Sequence, residues 1–199
     1  MSESAIDFYR RLGHLWVAER RAQTLLFERV WLERFREYLK TGGSLLDLGC
    51  GPGEPLAAWF IGQGFHVTGV DSAPAMLELC RARFPAERWI DADMRTLSLG
   101  RRFDGILAWD SFFHLCRDDQ RAMFAVFADH AAPGAPLMFT SGPADGEAIG
   151  SLYGQALHHA SLSPDAYRGL LAETGFRELA HVAQDPQCGG HTVWLAVKA

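Results

Sequence analysis

From Ser44 onward the chain alternates short apolar runs with longer amphipathic ones, and this alternation most restricts the folds open to it. Ser44–Leu48, Phe65–Val70, Arg88–Asp91, Phe103–Trp109 and Pro136–Thr140 read as strands. Most are apolar without a polar alternate position, the pattern of strands covered on both faces. Pro55–Ile61, Ala73–Phe84 and Asp118–His130 read as the intervening helices. Ser163–Glu173 reads as another, with Ser163 as N-cap and Pro164 at its first position. Phe176–Ala183 and Thr192–Lys198 add two strands. The expected class is α/β: a doubly wound, Rossmann-like, seven-stranded and mostly parallel sheet over residues 42–199, with helices on both faces. Residues 1–41 are expected to form an N-terminal helical cap. It comprises a short helix at Ile6–Leu12, broken near Gly13, and a longer one with the stripe Phe27, Trp31, Phe35 and Leu39, Val30 and Tyr38 beside it. Thr41-Gly42-Gly43 closes that helix.

Charge excludes several partners. The chain carries 19 Lys and Arg against 24 Asp and Glu, a net −5, and its paired arginines are separated by acids. It therefore has no basic face for nucleic acid. No run approaches the ~20 apolar residues of a membrane span. Glu3, Asp7, Arg10 and Arg11 stand where a secretory leader would be apolar. Cys50, Cys80, Cys116 and Cys188 are far apart and form no CxxC pair. A cytoplasmic setting is expected, with neither a disulfide framework nor a metal centre. Oligomeric state leaves no mark on the sequence.

Glycine is in surplus, 20 of 199 residues, against a usual share of about 7%. Five of them (Gly42, Gly43, Gly49, Gly51, Gly53) surround Leu45-Leu46-Asp47-Leu48-Gly49-Cys50-Gly51-Pro52-Gly53-Glu54-Pro55, which runs from a strand through a turn into a helix. A P-loop would end in Gly-Lys-Ser/Thr, and this one does not. A dinucleotide fingerprint needs Gly or Ala at its sixth position, which is Glu54 counted from Gly49 and Leu56 counted from Gly51. Asp47 and Glu54 also bracket the turn with negative charge, which repels a pyrophosphate and suits a cation.

The segment Asp47-Leu48-Gly49-Cys50-Gly51-Pro52-Gly53 closely resembles the first motif of class I S-adenosylmethionine-dependent methyltransferases. The resemblance covers residues 42–141 and is nearest to small-molecule enzymes of the quinone-biosynthesis C-methylase type. It implies that Asp47, Gly49, Cys50, Gly51 and Gly53 surround the cofactor's amino-acid tail. Asp71, with Ser72 after it, would accept the ribose hydroxyls, and Met76 would contact the adenine. In Asp91-Ala92-Asp93-Met94, Asp93 and Met94 match the adenine-binding pair best, with Asp91 as a rival. Phe103-Asp104-Gly105-Ile106-Leu107-Ala108-Trp109-Asp110-Ser111-Phe112-Phe113-His114-Leu115 resembles the fourth motif and its sequel. Trp109 to His114 would then run past the transferable methyl. The Asn/Asp-Pro-Pro-Tyr/Phe tetrapeptide of enzymes that methylate nucleobase or amide nitrogens is missing.

The implied reaction is in-line methyl transfer from S-adenosylmethionine to a small-molecule acceptor, leaving S-adenosylhomocysteine. Positioning supplies most of the rate, and His114 or Asp110 serves as base where the acceptor must lose a proton. An NAD-dependent oxidoreductase and a non-catalytic S-adenosylmethionine-binding protein are the competing readings. Gly142, Gly146, Gly150 and Gly154 space a segment expected to be either a lid loop or an ordinary surface loop. As a lid it would turn Glu147 and Tyr153 toward the acceptor, with His158 after it; Tyr9 and Trp16 of the cap would form the opposite wall. His181 and His191, on or beside the last strands, read as structural.

Overall fold

The computed structural model of the chain describes residues 7–11, 13, 15, 17 and 26–199; Trp16 lies outside them. After an N-terminal helical segment come α1 (Arg29–Arg36), β1 (Ser44–Leu48), α2 (Leu56–Gly62), β2 (His66–Asp71), α3 (Pro74–Arg83), β3 (Arg88–Asp91) and β4 (Gly105–Ala108). They are followed by α4 (Arg117–His130), β5 (Pro136–Ser141), β6 (Gly146–Leu152), β7 (Gln155–Ser161), α5 (Pro164–Glu173), β8 (Phe176–Asp185) and β9 (His191–Lys198).

Seven strands form one sheet in the order β3-β2-β1-β4-β5-β9-β8. Strands β1 to β5 pair in parallel, and β9 runs antiparallel to both β5 and β8. The reversal follows from a short link: only Pro186–Cys188 and two glycines separate β8 from β9, too few residues for a parallel crossover.

Both faces are buried, and residues alternate between them as a pleated strand requires. Leu46, Leu48, Ile106, Ala108, Leu137, Phe139 and Trp194 face one core with Phe112, Phe124, Phe127 and Tyr167. Leu45, Leu107, Met138, Val193 and Leu195 face the other, with Phe60, Trp89 and the α1 residues Trp31, Leu32 and Phe35.

Three expectations are corrected. Gly13 does not break a helix; the described residues around it are helical. A Cβ there would stand 2.2 Å from Met76 Cε, so glycine serves close packing on α3. Val30 and Tyr38 are exposed, because α1 spans only eight residues and turns a narrow face inward. The segment 142–154 is no loop: β6 pairs with β7 in a separate antiparallel hairpin. Tyr153 (φ 50°) and Gly154 (φ 73°) form its two-residue turn, both left-handed as a type I′ turn requires.

Candidate functional site

Strand order reverses between β1 and β4, and at the carboxyl ends of these strands lies a cleft of about 1110 Å3, open mouth included. Doubly wound sheets place ligands at this point because the crossovers leave to opposite faces there. The ends of β1 to β4 supply the cleft through Gly49-Cys50-Gly51, Asp71-Ser72, Ala92-Asp93-Met94 and Trp109-Asp110-Ser111. Asp47, Met76, His114 and Tyr9 also line it.

The glycine turn folds against β2. Gly49 and Cys50 N–H donate to the Val70 carbonyl (2.8 and 3.1 Å), Gly53 N–H to the Cys50 carbonyl (3.0 Å), and Gly51 N–H to Asp71 Oδ2 (2.8 Å). These amides are spent inside the protein, so the turn offers them to no phosphate; this is the physical counterpart of the failed dinucleotide fingerprint. Gly49 has φ +75°, and a Cβ on it would stand 2.2 Å from Ser111 Cβ, whose hydroxyl donates to the Leu48 carbonyl (2.6 Å). Only glycine lets β1 and β4 approach this closely. Gly53, also left-handed, sits off the cleft against Cys80 and Trp89.

Two carboxylates underlie the turn. Asp47 is 4% exposed, and burial, then the neighbouring Asp71 charge, push its pKa up to about 7. Asp71 is raised too, chiefly by burial, although N–H donors from Ala73, Gly51 and Ser72 oppose the shift. Oδ2 accepts from Gly51 N–H and Oδ1 from Ala73 N–H, both at 2.8 Å, with the Ser72 N–H bearing on the same carboxylate. The carboxylate nonetheless lines the cleft, and these bonds do not use all of its acceptor capacity. The Cys50 thiol is pushed well up, first by burial and then by its bond to Cys80. Asp93 is differently placed: Oδ1 accepts from Arg95 N and Nε (2.9 and 3.0 Å), and Oδ2 from Nε and a terminal nitrogen (2.9 and 2.5 Å). Those four bonds use its acceptor capacity, and Arg95 also reaches Asp119 at 3.1 Å.

At the far end, Tyr9 Oη stands 3.5 Å from His114 Nε2, and His114 Nδ1 is 3.3 Å from the His158 carbonyl. Burial, then the His159 charge, hold the His114 pKa down to about 4, so the ring is neutral near pH 7. A carbonyl only accepts; the neutral ring therefore carries its hydrogen on Nδ1 and its lone pair on Nε2. Trp109 Nε1 is buried, with no hydrogen-bond partner among the described residues. Asp110 adopts a left-handed backbone (φ 49°) and lies 3.1 Å from His191 Nε2. Sequence reasoning gave His191 no role here.

Glu147, Tyr153 and His158 lie on or at the turn of the hairpin and do not line the cleft. Glu147 pairs with His158 (3.1 Å) and Arg117 (3.7 Å), and Tyr153 stacks on Phe8. The hairpin reaches the cleft indirectly, by presenting the His158 carbonyl to His114. Among the described residues no cluster of His, Cys, Asp or Glu could hold a metal ion.

Residues 45–134 match the family described as a methyltransferase domain. The matched stretch runs from β1 to α4 and holds the glycine turn and the strand ends that line the cleft. An O-methyltransferase of Pyrenophora dematioidea is 30% identical over 168 residues, 78% of this chain and 62% of that protein. A trans-aconitate 2-methyltransferase of Enterobacter sp. (strain 638) is 44% identical over 68 residues, 32% of this chain and 26% of that one. The chain thus spans less than two thirds of the length of these curated relatives. The fold of this chain is shared with CalS10, described as an amino pentose methyltransferase from Micromonospora echinaspora. The TM-score is 0.73 at 22% identity, covering 93% of this chain and 97% of that one. It is shared equally with a Burkholderia thailandensis 1,6-didemethyltoxoflavin-N1-methyltransferase, TM-score 0.74 at 21% identity, covering 100% and 87%.

Proposed function

We propose that this chain transfers the methyl group of S-adenosylmethionine to a small-molecule acceptor. The observation that carries the reading is a glycine turn with its amides satisfied internally, set over two buried carboxylates. Such a site suits a ligand with hydroxyls and a positive charge, not one with phosphates. When bound, the cofactor supplies an activated methyl on a sulfonium that is its own leaving group.

The chain's residues bind, orient and accept a proton. Asp71 holds the ribose hydroxyls with the acceptor capacity its backbone bonds leave, and Asp47 faces the cationic amino-acid tail. Met76 and Met94 give apolar contact to the base. Asp93 acts mainly by shaping the Met94 turn, since Arg95 occupies its carboxylate. Beyond Trp109 the acceptor lies between Tyr9, Asp110 and His114. Among the described residues the cleft lining includes no Lys or Arg, which favours an uncharged or amine-bearing acceptor over a polycarboxylate.

Calorimetric titration at pH 8 tests the reading. S-adenosylhomocysteine is expected to bind at micromolar concentration and NAD to give no heat; the opposite pattern would support the oxidoreductase. His114 carries a second prediction. With an acceptor identified from a panel of hydroxyl and amine compounds, His114→Gln should lower kcat about 10²–10⁴-fold, the contribution of a positioned base, with homocysteine-product affinity intact. A base must be unprotonated, and this ring stays neutral above about pH 4. Its contribution to kcat should therefore be level from pH 8 down to pH 5. A fall centred near 6.5 would assign the base elsewhere.

A further inference from the structure

His191 lies at the start of β9, yet β9 is inserted beside β5, and this brings its ring to the end of β4. Both ring nitrogens face acceptors. Nδ1 is 2.8 Å from the Cys188 carbonyl, and Nε2 is 3.1 Å from each Asp110 carboxylate oxygen. A carbonyl and a carboxylate only accept, so satisfying both contacts takes a hydrogen on both nitrogens. The ring also lies between two aromatic faces, Phe27 (centroids 5.4 Å apart, 25°) and Trp109 (5.6 Å, 26°), an arrangement that favours a cation.

Asp110 is held equally closely from the other side. Its N–H donates to Thr140 Oγ1 (2.9 Å), and the Thr140 hydroxyl reaches Oδ1 at 3.3 Å. Its left-handed backbone is one that a non-glycine residue keeps only when its surroundings impose it. Asp110 nonetheless lines the cleft and is partly exposed there, in the neighbourhood of Tyr9 and His114.

We infer that His191, held as an imidazolium between Phe27 and Trp109, is a positioning residue that clamps the Asp110 carboxylate toward the acceptor. This rests on the methyltransferase reading for what the cleft binds. The clamped carboxylate keeps lone pairs that His191 and Thr140 leave unused, and these accept a hydrogen from the attacking group. The acceptor class it selects is one whose nucleophile bears N–H or O–H, an amine or a hydroxyl. A carboxylate nucleophile would meet Asp110 as a like charge.

The charges facing His191 agree in direction. Burial works against its charged form. The Asp110 hydrogen bond and charge, the Cys188 carbonyl and the Glu28 charge outweigh it, and the pKa is raised. Asp185 acts on the neighbouring Cys188; Tyr9 and His114 share the cleft with Asp110, and His159 of the hairpin feels the same Asp110 charge. A raised pKa means the clamp is complete at low pH and is lost as pH rises through the folded value.

The test uses the full chain labelled with 15N, with S-adenosylhomocysteine added, and long-range 1H–15N spectra of the imidazole rings from pH 5.5 to 9. The His191 signal is identified by its loss in His191→Gln. It should keep the doubly protonated signature at pH 7, where an ordinary histidine is mostly neutral, and titrate lower in Asp110→Asn. A neutral His191 at pH 7, or one indifferent to Asp110→Asn, would overturn the proposal. A second arm separates the hydrogen bond from packing. His191→Phe keeps the stack and loses the donor, whereas His191→Gln keeps a donor and loses the stack. With an amine or hydroxyl acceptor, His191→Phe should raise KM at least tenfold, His191→Gln should retain most of the wild-type value, and both should bind S-adenosylhomocysteine within twofold of wild type. Equal losses in the two variants would make His191 a packing residue. Failure of the wild type to bind S-adenosylhomocysteine would remove the methyltransferase reading, while the ring signature would still judge the clamp.

Discussion

Asp71→Ala is expected to weaken S-adenosylhomocysteine binding by at least about a hundredfold, a loss of roughly 2.7 kcal/mol or more. The carboxylate does two things at once. It ties the Gly51 N–H of the turn and the Ala73 N–H at the start of α3 to one side chain, each at 2.8 Å. In the proposed complex it also takes the ribose hydroxyls. Truncation unties the turn, leaves two donors in need of water at about 1–3 kcal/mol each, and deletes the ligand's acceptors. Asp71→Asn tests the charge separately: it keeps one accepting oxygen but turns an NH2 toward a backbone donor, and should fall between wild type and alanine. Calorimetry at pH 8 measures all three. A change under tenfold for alanine would move the ribose away from Asp71.

Asp47→Asn should act in opposite directions on stability and binding. In the folded chain the Asp47 pKa is about 7, above its ordinary 3.8. A buried acid with a raised pKa binds its proton more tightly folded than unfolded, so the contribution of Asp47 to stability is greatest below about pH 4 and declines as pH rises toward 7. About three pH units at ~1.4 kcal/mol each set an upper bound near 4 kcal/mol on this loss. Asparagine keeps the shape and removes the charge. The ligand-free variant should therefore melt higher than wild type at pH 8, by roughly 5 °C or more, and match it near pH 4. Binding should go the other way. The wild type should hold S-adenosylhomocysteine about tenfold less tightly at pH 6 than at pH 8, because only the ionised fraction is competent. The variant should bind weakly, with no such slope. Coincident melting profiles at pH 8 would mean that the Asp47 charge is already compensated in the fold.

The parts of the site that were legible in the sequence are those whose cause is local. The turn from β1 to α2 announces itself because three glycines with positive φ lie within five residues, after a strand and before a helix. Asp71 follows from its place at the end of β2. The hairpin was obscured because its glycines recur every fourth residue and its strands are largely exposed, which blurs the two-residue period. The left-handed Tyr153-Gly154 pair was the available clue. Asp93 read as a ligand acceptor, although Arg95, only two residues on, competes for it. His191 was illegible for a different reason. Nothing near it in sequence points to Asp110; the two meet through the order of strands.

That strand order also bears on how the chain comes to be folded. β9 emerges after every other strand of the sheet, yet it occupies an interior place between β5 and β8. A nascent chain that stops short of it presents an unpaired β5 edge and lacks Trp194, which stacks on Phe139 and meets Tyr167 edge-on. Open strand edges of this kind invite association between unfinished chains. Sheet closure and arrival of the Asp110 partner thus become a single late event, so a chain still missing β9 is incomplete in both architecture and chemistry.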